Sequence, residues 1–292
     1  LKLRIGYGVS GNALGFGAYS AVATYGANGT IISIGGKDYP TLVSTKLANP
    51  DLKWEKTGML NIGLDYAFFN GRLNGSIEYY NKVTKDLIWN YPVTSFLYPF
   101  STISANVGEI TNRGIEISIN AIPVQNKNFT WTTTLNLSHN KNKVNKLTNE
   151  KFSTASFTQG DPMVAGVSAE GYTQQIMEGE PLGTFFTYEF AGYDEDGTSV
   201  YYEHDAETGA RTGTTTKAPK FKDRAVTGCA QPKLNMGWNN TFSYKNWSAS
   251  FFFTGVFGNK IYNGLRAHYT APDFFAGGKN VLKEFITERP AT

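Results

Sequence analysis

The sequence is poor in cysteine and in charged residues, and it has no long hydrophobic run. Its single cysteine, Cys229, excludes an internal disulfide framework and leaves the redox compartment open. Charged residues make up 17% of the 292 positions, below the ~25% of typical soluble domains. No hydrophobic run approaches the roughly 18 to 20 residues that a transmembrane helix requires. A disulfide-stapled module and a helical membrane span are therefore excluded.

Several classes of functional site are absent as well. The net charge of +3 comes without a cluster of Lys and Arg, so nucleic acid is not an expected partner. His139, His204 and His268 lack the spacing of metal ligands, and no nucleophile elbow, zinc motif or phosphate loop is present. We predict no enzyme activity, no metal and no cofactor. The first ten residues lack the apolar core of a signal peptide and alternate like a strand, so we expect the chain to start within the fold.

The abundant residues suit a β-rich protein with two different faces. Aromatic residues make up 14% of the chain, with 20 Phe and 17 Tyr, and there are 31 Gly. The mean hydropathy is nevertheless −0.32. A transmembrane β-barrel gives this combination because every second strand residue faces a polar lumen. An all-β secreted protein gives it too, so composition leaves both classes open.

Residues 60–80 carry the clearest local pattern. Apolar and polar residues alternate on either side of Asn70-Gly71. Asn-Gly between two such runs predicts a β-hairpin, because both residues tolerate the positive φ of its turn. The apolar side of the first strand is predicted to meet lipid and the other side the lumen. The two sets are Leu60, Ile62, Leu64 and Tyr66 for lipid, and Asn61 and Asp65 for the lumen.

Tight and long connections alternate along the chain. The predicted strands are 1–9, 54–69, 72–86, 107–121, 129–141, 171–178, 183–192, 233–244 and 247–257. The tight connections are 70–71, 123–128, 179–181 and 245–246, and the long ones are about 10–53, 87–106, 142–170 and 193–232. This segregation is typical of an outer-membrane barrel, whereas a sandwich has no reason for it. Aromatic residues beside three tight turns resemble half of an interfacial girdle, although aromatic residues favour strands in general.

The predicted fold class is all-β: an antiparallel transmembrane β-barrel fragment with short periplasmic turns and long extracellular loops. About nine strands is an odd number, whereas single-chain bacterial barrels have even numbers. At about 32 residues per strand, a plugged 22-stranded transporter would need roughly 700 residues. The chain is therefore interpreted as less than half of such a barrel, cut at both ends.

Several segments, in a fixed order, carry a family resemblance. They are LKLRIGYGVSGN, LANPDLKWEKTGMLNIGLDYAFFNGRLNGSIEYYNKVTKDLI, NVGEITNRGIEISINAIPV, FTWTTTLNLSHNKNKV, GEPLGTFFTYEFAGYD and PKLNMGWNNTFSYKNWSASFFFTGVFGNKIYN. Together they resemble the SusC/RagA family of TonB-linked outer-membrane proteins from Bacteroidota. Its signature is predicted to be structural: NPDLKWE (49–55) as a turn that starts a strand, and NRGIE (112–116) as a strand entry with Arg113 and Glu116 on opposite faces. The signature residues are Asn49, Pro50, Leu52, Trp54, Asn70, Gly71, Asn112, Arg113, Gly114 and Glu116.

The resemblance implies a 22-stranded barrel in the outer membrane of a Gram-negative, Bacteroidota-like cell. It implies import of an oligomeric nutrient, a glycan or a peptide, with energy from the TonB complex and a SusD-like surface lipoprotein as lid. Residues 1–292 would form part of the barrel domain, and the plug, the TonB box and the final strands have no counterpart in this sequence. An extracellular β-rich binding or adhesin module and a passive porin are the alternatives.

Two of the long connections carry candidate functional residues. In residues 88–104, exposed rings could contact a sugar, a peptide or the lid protein, or could fold the loop against its neighbours. These rings are Trp89, Tyr91, Phe96, Tyr98 and Phe100. The DEDG sequence at 194–197 echoes a calcium loop but lacks its register and distal Glu, so an exposed turn is expected. With Asp223-Arg224 it resembles the family's acidic loop, here within a longer Thr-rich insertion.

Overall fold

The computed structural model describes residues 1–12, 17, 19–93, 100–162, 172–269 and 283. Regular structure within them is almost entirely β-strand; the exceptions are a 3-10 turn at Phe221–Asp223 and a short helix, α1, at Gly264–Tyr269. In this part of the chain no helix is long and apolar enough to cross a membrane. Every strand pair with a recorded register is antiparallel, which confirms the predicted all-β class.

Sixteen strands are present in the described residues. They are β1 Lys2–Asn12, β2 Thr24–Ile34, β3 Lys37–Lys46, β4 Glu55–Phe68, β5 Leu73–Pro92, β6 Thr102–Gln125, β7 Phe129–Lys146, β8 Ser156–Pro162, β9 Tyr172–Met177, β10 Thr184–Tyr188, β11 Phe190–Tyr193, β12 Ser199–His204, β13 Arg211–Thr216, β14 Arg224–Cys229, β15 Leu234–Tyr244 and β16 Trp247–Phe257.

Seven of these strands form one sheet, in the order β1-β4-β5-β6-β7-β15-β16. The others form a four-stranded sheet (β14-β10-β9-β8), a three-stranded sheet (β11-β12-β13) and a hairpin (β2-β3). The order of these strands across the sheet is the same as their order along the chain, as in the wall of an up-and-down barrel. The described sheet is open, and β1 and β16 are its edges.

The predicted hairpin at residues 60–80 is confirmed, with β4 and β5 paired from Lys56↔Lys85 to Phe68↔Leu73. The turn is longer than the Asn70-Gly71 pair. Phe69, Asn70 and Gly71 all have positive φ, at 55°, 56° and 84°, and the N–H of Gly71 donates to the carbonyl oxygen of Phe68 at 3.1 Å. The positive-φ turn therefore begins at Phe69, one residue earlier than the sequence suggested, and Gly71 follows it.

The predicted count of nine strands is not confirmed. Seven of the nine predicted strands form the large sheet, whereas those predicted at 171–178 and 183–192 correspond to β9, β10 and β11 in the smaller sheets. The long connections contain strands of their own, such as the hairpin β2-β3 within 10–53. That hairpin has a signal, since Gly35 and Gly36 take positive φ between two alternating runs.

The chain divides into two compact units. The first contains residues 1–155 and 236–254, and the second contains residues 156–235 and 255–292. Most of the large sheet belongs to the first unit, and the four- and three-stranded sheets belong to the second.

Candidate transport wall and loop base

One face of the large sheet is apolar across five neighbouring strands. One row of directly opposed residues contains Leu3, Leu64, Ile77, Ile117 and Leu137. The next row contains Ile5, Ile62, Tyr79 and Ile115 and ends at His139 on β7. Residues directly opposite each other in an antiparallel pair lie on the same face. Ile5 is 70% exposed and Ile77 43%, so this apolar face is available to lipid or to another apolar surface.

The other face, the polar face, carries amides and hydroxyls in cross-strand ladders. Asn61, Tyr80, Gly114 and Asn140 lie directly opposite one another. The Tyr80 hydroxyl donates to Oδ1 of Asn140 at 2.9 Å, and Nδ2 of Asn142 donates to Oδ1 of Asn112 at 2.8 Å. The ladders tie neighbouring strands together and present hydrogen-bonding groups along the face.

A three-residue ion cluster adds charge to the polar face. Nη2 of Arg4 lies 2.7 Å from Oδ1 of Asp65 and 2.6 Å from Oε1 of Glu78. The strand between Arg4 and Glu78 places Gly63 opposite both, where an added Cβ would lie 3.1 Å from Nη2 of Arg4. The absence of a side chain at Gly63 thus lets one guanidinium reach across three strands.

Aromatic side chains gather near the short turns. Trp131 stacks on Phe242 with ring centroids 5.7 Å apart, and Phe242 meets Phe251 edge-on at 6.2 Å. Nε1 of Trp131 donates to Oδ1 of Asn240 at 3.1 Å, so a ring with a polar edge sits beside a buried amide. Trp247 is 80% exposed. Amphipathic rings in this position are those expected of an interfacial girdle.

Two asparagine side chains hold the segment 47–54 against β5 and β6. Nδ2 of Asn49 donates to the carbonyl oxygen of Ser104 at 2.8 Å. Asn106 accepts from the N–H of Lys53 at 2.8 Å and donates to the carbonyl oxygens of Lys53 and Asp86 at 2.7 and 2.6 Å. The side-chain amide of Asn106 thus forms hydrogen bonds with three backbone groups. Asn106 was missed by sequence reasoning, because its position within a signature string does not reveal what it binds.

A cavity of about 690 Å³ opens beside this clamp. Its lining is largely polar and includes Asn49, Asp51, Asn106, Asn149 and Lys151. Nζ of Lys151 lies 2.9 Å from Oδ2 of Asp51. Hydrogen bonding to Lys151 lowers the pKa of Asp51, and the same contact raises the pKa of Lys151. The cavity offers amide and charged groups that suit a polar ligand.

The aromatic loop residues are only partly where the sequence placed them. Trp89 and Tyr91 belong to β5 and not to a loop, because β5 and β6 extend to Pro92 and Thr102. Tyr91 is fully buried; its ring lies 5.5 Å from that of Phe152, and its hydroxyl donates to the carbonyl oxygen of Leu147 at 2.9 Å. Tyr91 therefore fixes the base of the loops. Phe96 and Tyr98 lie outside the described residues, and a half-buried Phe100 lines a cavity of about 260 Å³.

The signature motifs also differ from their predicted positions in one respect. NRGIE does not lie at a strand entry, because β6 begins at Thr102, ten residues before Asn112. It lies inside the long strand, where Arg113 and Glu116 have opposite parity and so lie on opposite faces. Trp54 is 58% exposed, and an added Cβ at Gly11 would lie 3.1 Å from its ring. Pro50 and Leu52 lie in the turn before β4, and the N–H of Leu52 donates to the Asn49 carbonyl at 3.1 Å.

The acidic loop of the second unit is a turn held by its own groups. Oδ1 of Asp194 accepts from the N–H of Thr198 at 2.7 Å, and the other carboxylate oxygen pairs with Lys217. This ion pair lowers the pKa of Asp194. Among the described residues, no group of three or more His, Cys, Asp or Glu is arranged to hold a metal ion.

The Asp223-Arg224 pair is buried, at 1% and 3% exposure. Asp223 accepts from the N–H of Lys220 at 2.8 Å. Arg224 donates to the carbonyl oxygen of Tyr172 at 2.7 Å and lies over the ring of Phe186, 5.0 Å from its centroid. The pair therefore ties the 3-10 turn and β14 to β9 and β10.

Comparison with known proteins gives the family. Residues 1–252 match the family described as TonB dependent receptor-like, beta-barrel. The chain belongs to the TonB-dependent receptor β-barrel family. TonB-dependent receptor P3 of Formosa agariphila is 32% identical in an alignment of 301 positions that covers 98% of this chain and 28% of that protein. TonB-dependent receptor SusC of Bacteroides thetaiotaomicron is 30% identical over 263 residues, which are 90% of this chain and 25% of that protein.

A solved structure agrees with these relatives. The structure of the RagAB peptide transporter matches with a TM-score of 0.71 at 25% identity, covering 92% of this chain and 28% of that chain. The resemblance to the SusC/RagA family is thereby confirmed. The chain spans about a quarter of the length of the TonB-dependent receptors that it matches.

Asn106→Asp is expected to loosen the loop base of this TonB-dependent receptor. The carboxylate loses both donated bonds and places an acceptor against the carbonyl oxygens of Lys53 and Asp86. The repulsion moves the side chain away, so the bond that it accepts from the Lys53 N–H is weakened as well. The loss should be about 1–3 kcal/mol, because two hydrogen bonds are lost and each contributes about 0.5–1.5 kcal/mol net. Hydrogen exchange of the Lys53 amide should accelerate, whereas in the control Asn126→Asp, which keeps an acceptor for the N–H groups of Asn128 and Phe129, it should not. Unchanged exchange at Lys53 in Asn106→Asp contradicts the clamp.

Proposed function

We propose that this chain is part of the wall of an outer-membrane TonB-dependent transporter that imports an oligomeric nutrient, a glycan or a peptide. The observation that carries the proposal is the pair of faces on one sheet. Five strands share an exposed apolar face, and the reverse of the same strands carries the amide ladders and the Arg4 ion cluster. Lipid suits the first face and a water-filled path suits the second.

The spacing of the apolar face supports a membrane position. Trp131, among the aromatic rings near the short turns, and Lys141, on the same face of β7, are ten residues apart, and Leu135 and Leu137 lie midway between them, flanked by Thr133 and His139. With a rise of about 3.3 Å per residue and a tilt of about 40°, ten residues span about 25 Å along the membrane normal. This equals the usual height of the apolar band of an outer-membrane barrel, about 25 Å.

The chemistry of the polar face and of the loop base suits an oligomer with many hydrogen-bonding groups. Asparagine amides both donate and accept, as sugar hydroxyls and peptide groups require. The cavity at the loop base adds Asp51 and Lys151. We include a SusD-like surface lipoprotein in the proposal as the lid that contacts the long connections, and the TonB complex as the source of energy. A plug and a TonB-contacting segment belong to the proposed whole transporter.

The test uses the protein made from its complete gene, in cells that otherwise lack it. Uptake of a labelled glycan or peptide oligomer should require this gene, the gene of the lipoprotein lid and an energised inner membrane. Uptake that persists after the proton gradient is dissipated would instead identify a passive porin. Release of the protein from membranes by alkaline carbonate would identify an extracellular binding module and contradict the membrane position.

A further inference from the structure

The apolar face ends in a set of cations, here called the basic belt: Lys56, Lys85, Arg113, Lys141 and Lys143. Strand parity places all five on the same face as Ile62 and Ile117. All five are exposed. They lie toward the long-connection ends of β4 to β7, away from the aromatic rings near the short turns.

Positively charged residues of the belt lie directly opposite each other on neighbouring strands. Lys56 is paired with Lys85 across β4 and β5, and Arg113 with Lys141 across β6 and β7. Like charges directly opposite each other destabilise a sheet. In the described part of the chain, the only ion pair of a belt residue joins Lys85 to Glu109 at 3.8 Å. The folded sheet therefore gains nothing from this arrangement unless an anion from outside the chain lies between the cations.

The edge of the belt is stepped across the strands. On β4 and β5 the first cations are Lys56 and Lys85, which are directly opposed, whereas on β6 and β7 they are Arg113 and Lys141, which share the row of Leu60. Lys56 and Leu60 are four residues apart, so the belt begins about 13 Å nearer the short turns on β6 and β7 than on β4 and β5. Because the strands of a membrane barrel are tilted, one level in the membrane crosses successive strands at different rows.

We infer that the basic belt binds the phosphate groups of anionic lipids in the outer leaflet around the barrel. The inference rests on the proposed membrane position of the sheet. A lipid is favoured over a soluble anion because on β6 Arg113 is the next residue after Ile115 on the same face. One molecule can therefore place acyl chains on Ile115 and Ile117 and a phosphate between Arg113 and Lys141. Charge-assisted bonds from Arg and Lys to phosphate are strong when they leave water.

The experiment measures lipid binding to the purified protein from its complete gene by native mass spectrometry in an uncharged detergent. The probes are an acyl-disaccharide lipid that carries phosphate and the same lipid with the phosphate removed. Wild type should prefer the phosphorylated lipid. Arg113→Gln with Lys141→Gln should weaken its binding about 30-fold, since each removed cation lowers the affinity for an anionic membrane surface about fivefold. The double variant should fold at least as well as wild type, because a like-charge pair is gone.

The matched control is Lys82→Gln with Lys127→Gln. Lys82 lies beside Asn81 at the same height but on the polar face, and Lys127 lies in the short turn before β7. This control removes the same charge and should leave lipid binding unchanged. Equal loss in both double variants, equal binding of the dephosphorylated lipid, or displacement of the lipid by excess inorganic phosphate would each overturn the inference. If wild type fails to insert into membranes, the proposed function fails first; if it inserts and shows no phosphate preference, only the inference fails.

Discussion

Ile117→Arg is expected to lower the free energy of unfolding by about 2–4 kcal/mol in a barrel that unfolds reversibly in lipid vesicles. Ile117 lies between Ile77 and Leu137 in the apolar face, so the guanidinium would have to enter hydrocarbon. Ser118→Arg, one residue away, lies between Ser76 and Asn136 on the polar face and should cost much less. Urea titration of both variants measures the difference.

Arg alone does not separate a membrane wall from a covered sandwich, since both penalise a buried charge. Tryptophan separates them. On a lipid face Trp has room and should be tolerated at Ile115, Ile117 and Ala121, best near the interface. In a closely packed core the same ring would overpack. If Trp at these positions prevents assembly as strongly as Ile117→Asn does, the membrane position is wrong and an extracellular binding module takes its place.

Gly114→Val is the second substitution with a large expected effect. Gly114 lies directly opposite Tyr80 and Asn140 on the polar face. A Cβ at Gly114 would lie 2.5 Å from the Tyr80 hydroxyl oxygen and closer still to the carbonyl oxygen of His139. Because a backbone group cannot move aside as a flexible side chain can, the strands must separate, at about 1–3 kcal/mol or more. The loss should appear in the free energy of unfolding and as a slower formation of the folded, heat-modifiable species.

The control for Gly114 is Gly8→Ala, on the same face of β1, where an added Cβ meets nothing within 4 Å. It should be neutral or stabilise by about 0.4–1 kcal/mol, through the lower entropy of the unfolded chain. Tyr80→Phe tests the cause separately. It removes the hydroxyl oxygen, and with it the bond to Asn140, but leaves the ring carbon Cζ, 2.6 Å from the added Cβ, and the His139 carbonyl in place. It should therefore rescue Gly114→Val only in part. Full rescue would show that the Tyr80 hydroxyl, and neither the ring nor the backbone, sets the limit.

The sequence predicted the wall of the molecule because alternation is local. A period of two on β4 to β7 shows which residues share a side of a strand, and the turns at 70–71 and 245–246 show where the chain reverses. It also identified the family through its barrel signature. The sequence analysis did not predict the strands β8 and β12 to β14 in the long connections. Their apolar and polar residues do not alternate regularly, and the strands depend on partners in the second unit for their pairing.

Alternation alone determined that this protein has an apolar and a polar side. Only the tertiary structure decided which residues meet across strands, because register depends on partners that lie tens of residues apart. The register places Gly114 directly opposite Tyr80, and Arg113 directly opposite Lys141. The same holds for the loop base: Asn106 contacts Lys53 across 53 positions, and Tyr91 reaches Leu147 across 56. Such contacts arise when separate strands and loops meet, so no single stretch of the sequence contains the information that fixes them.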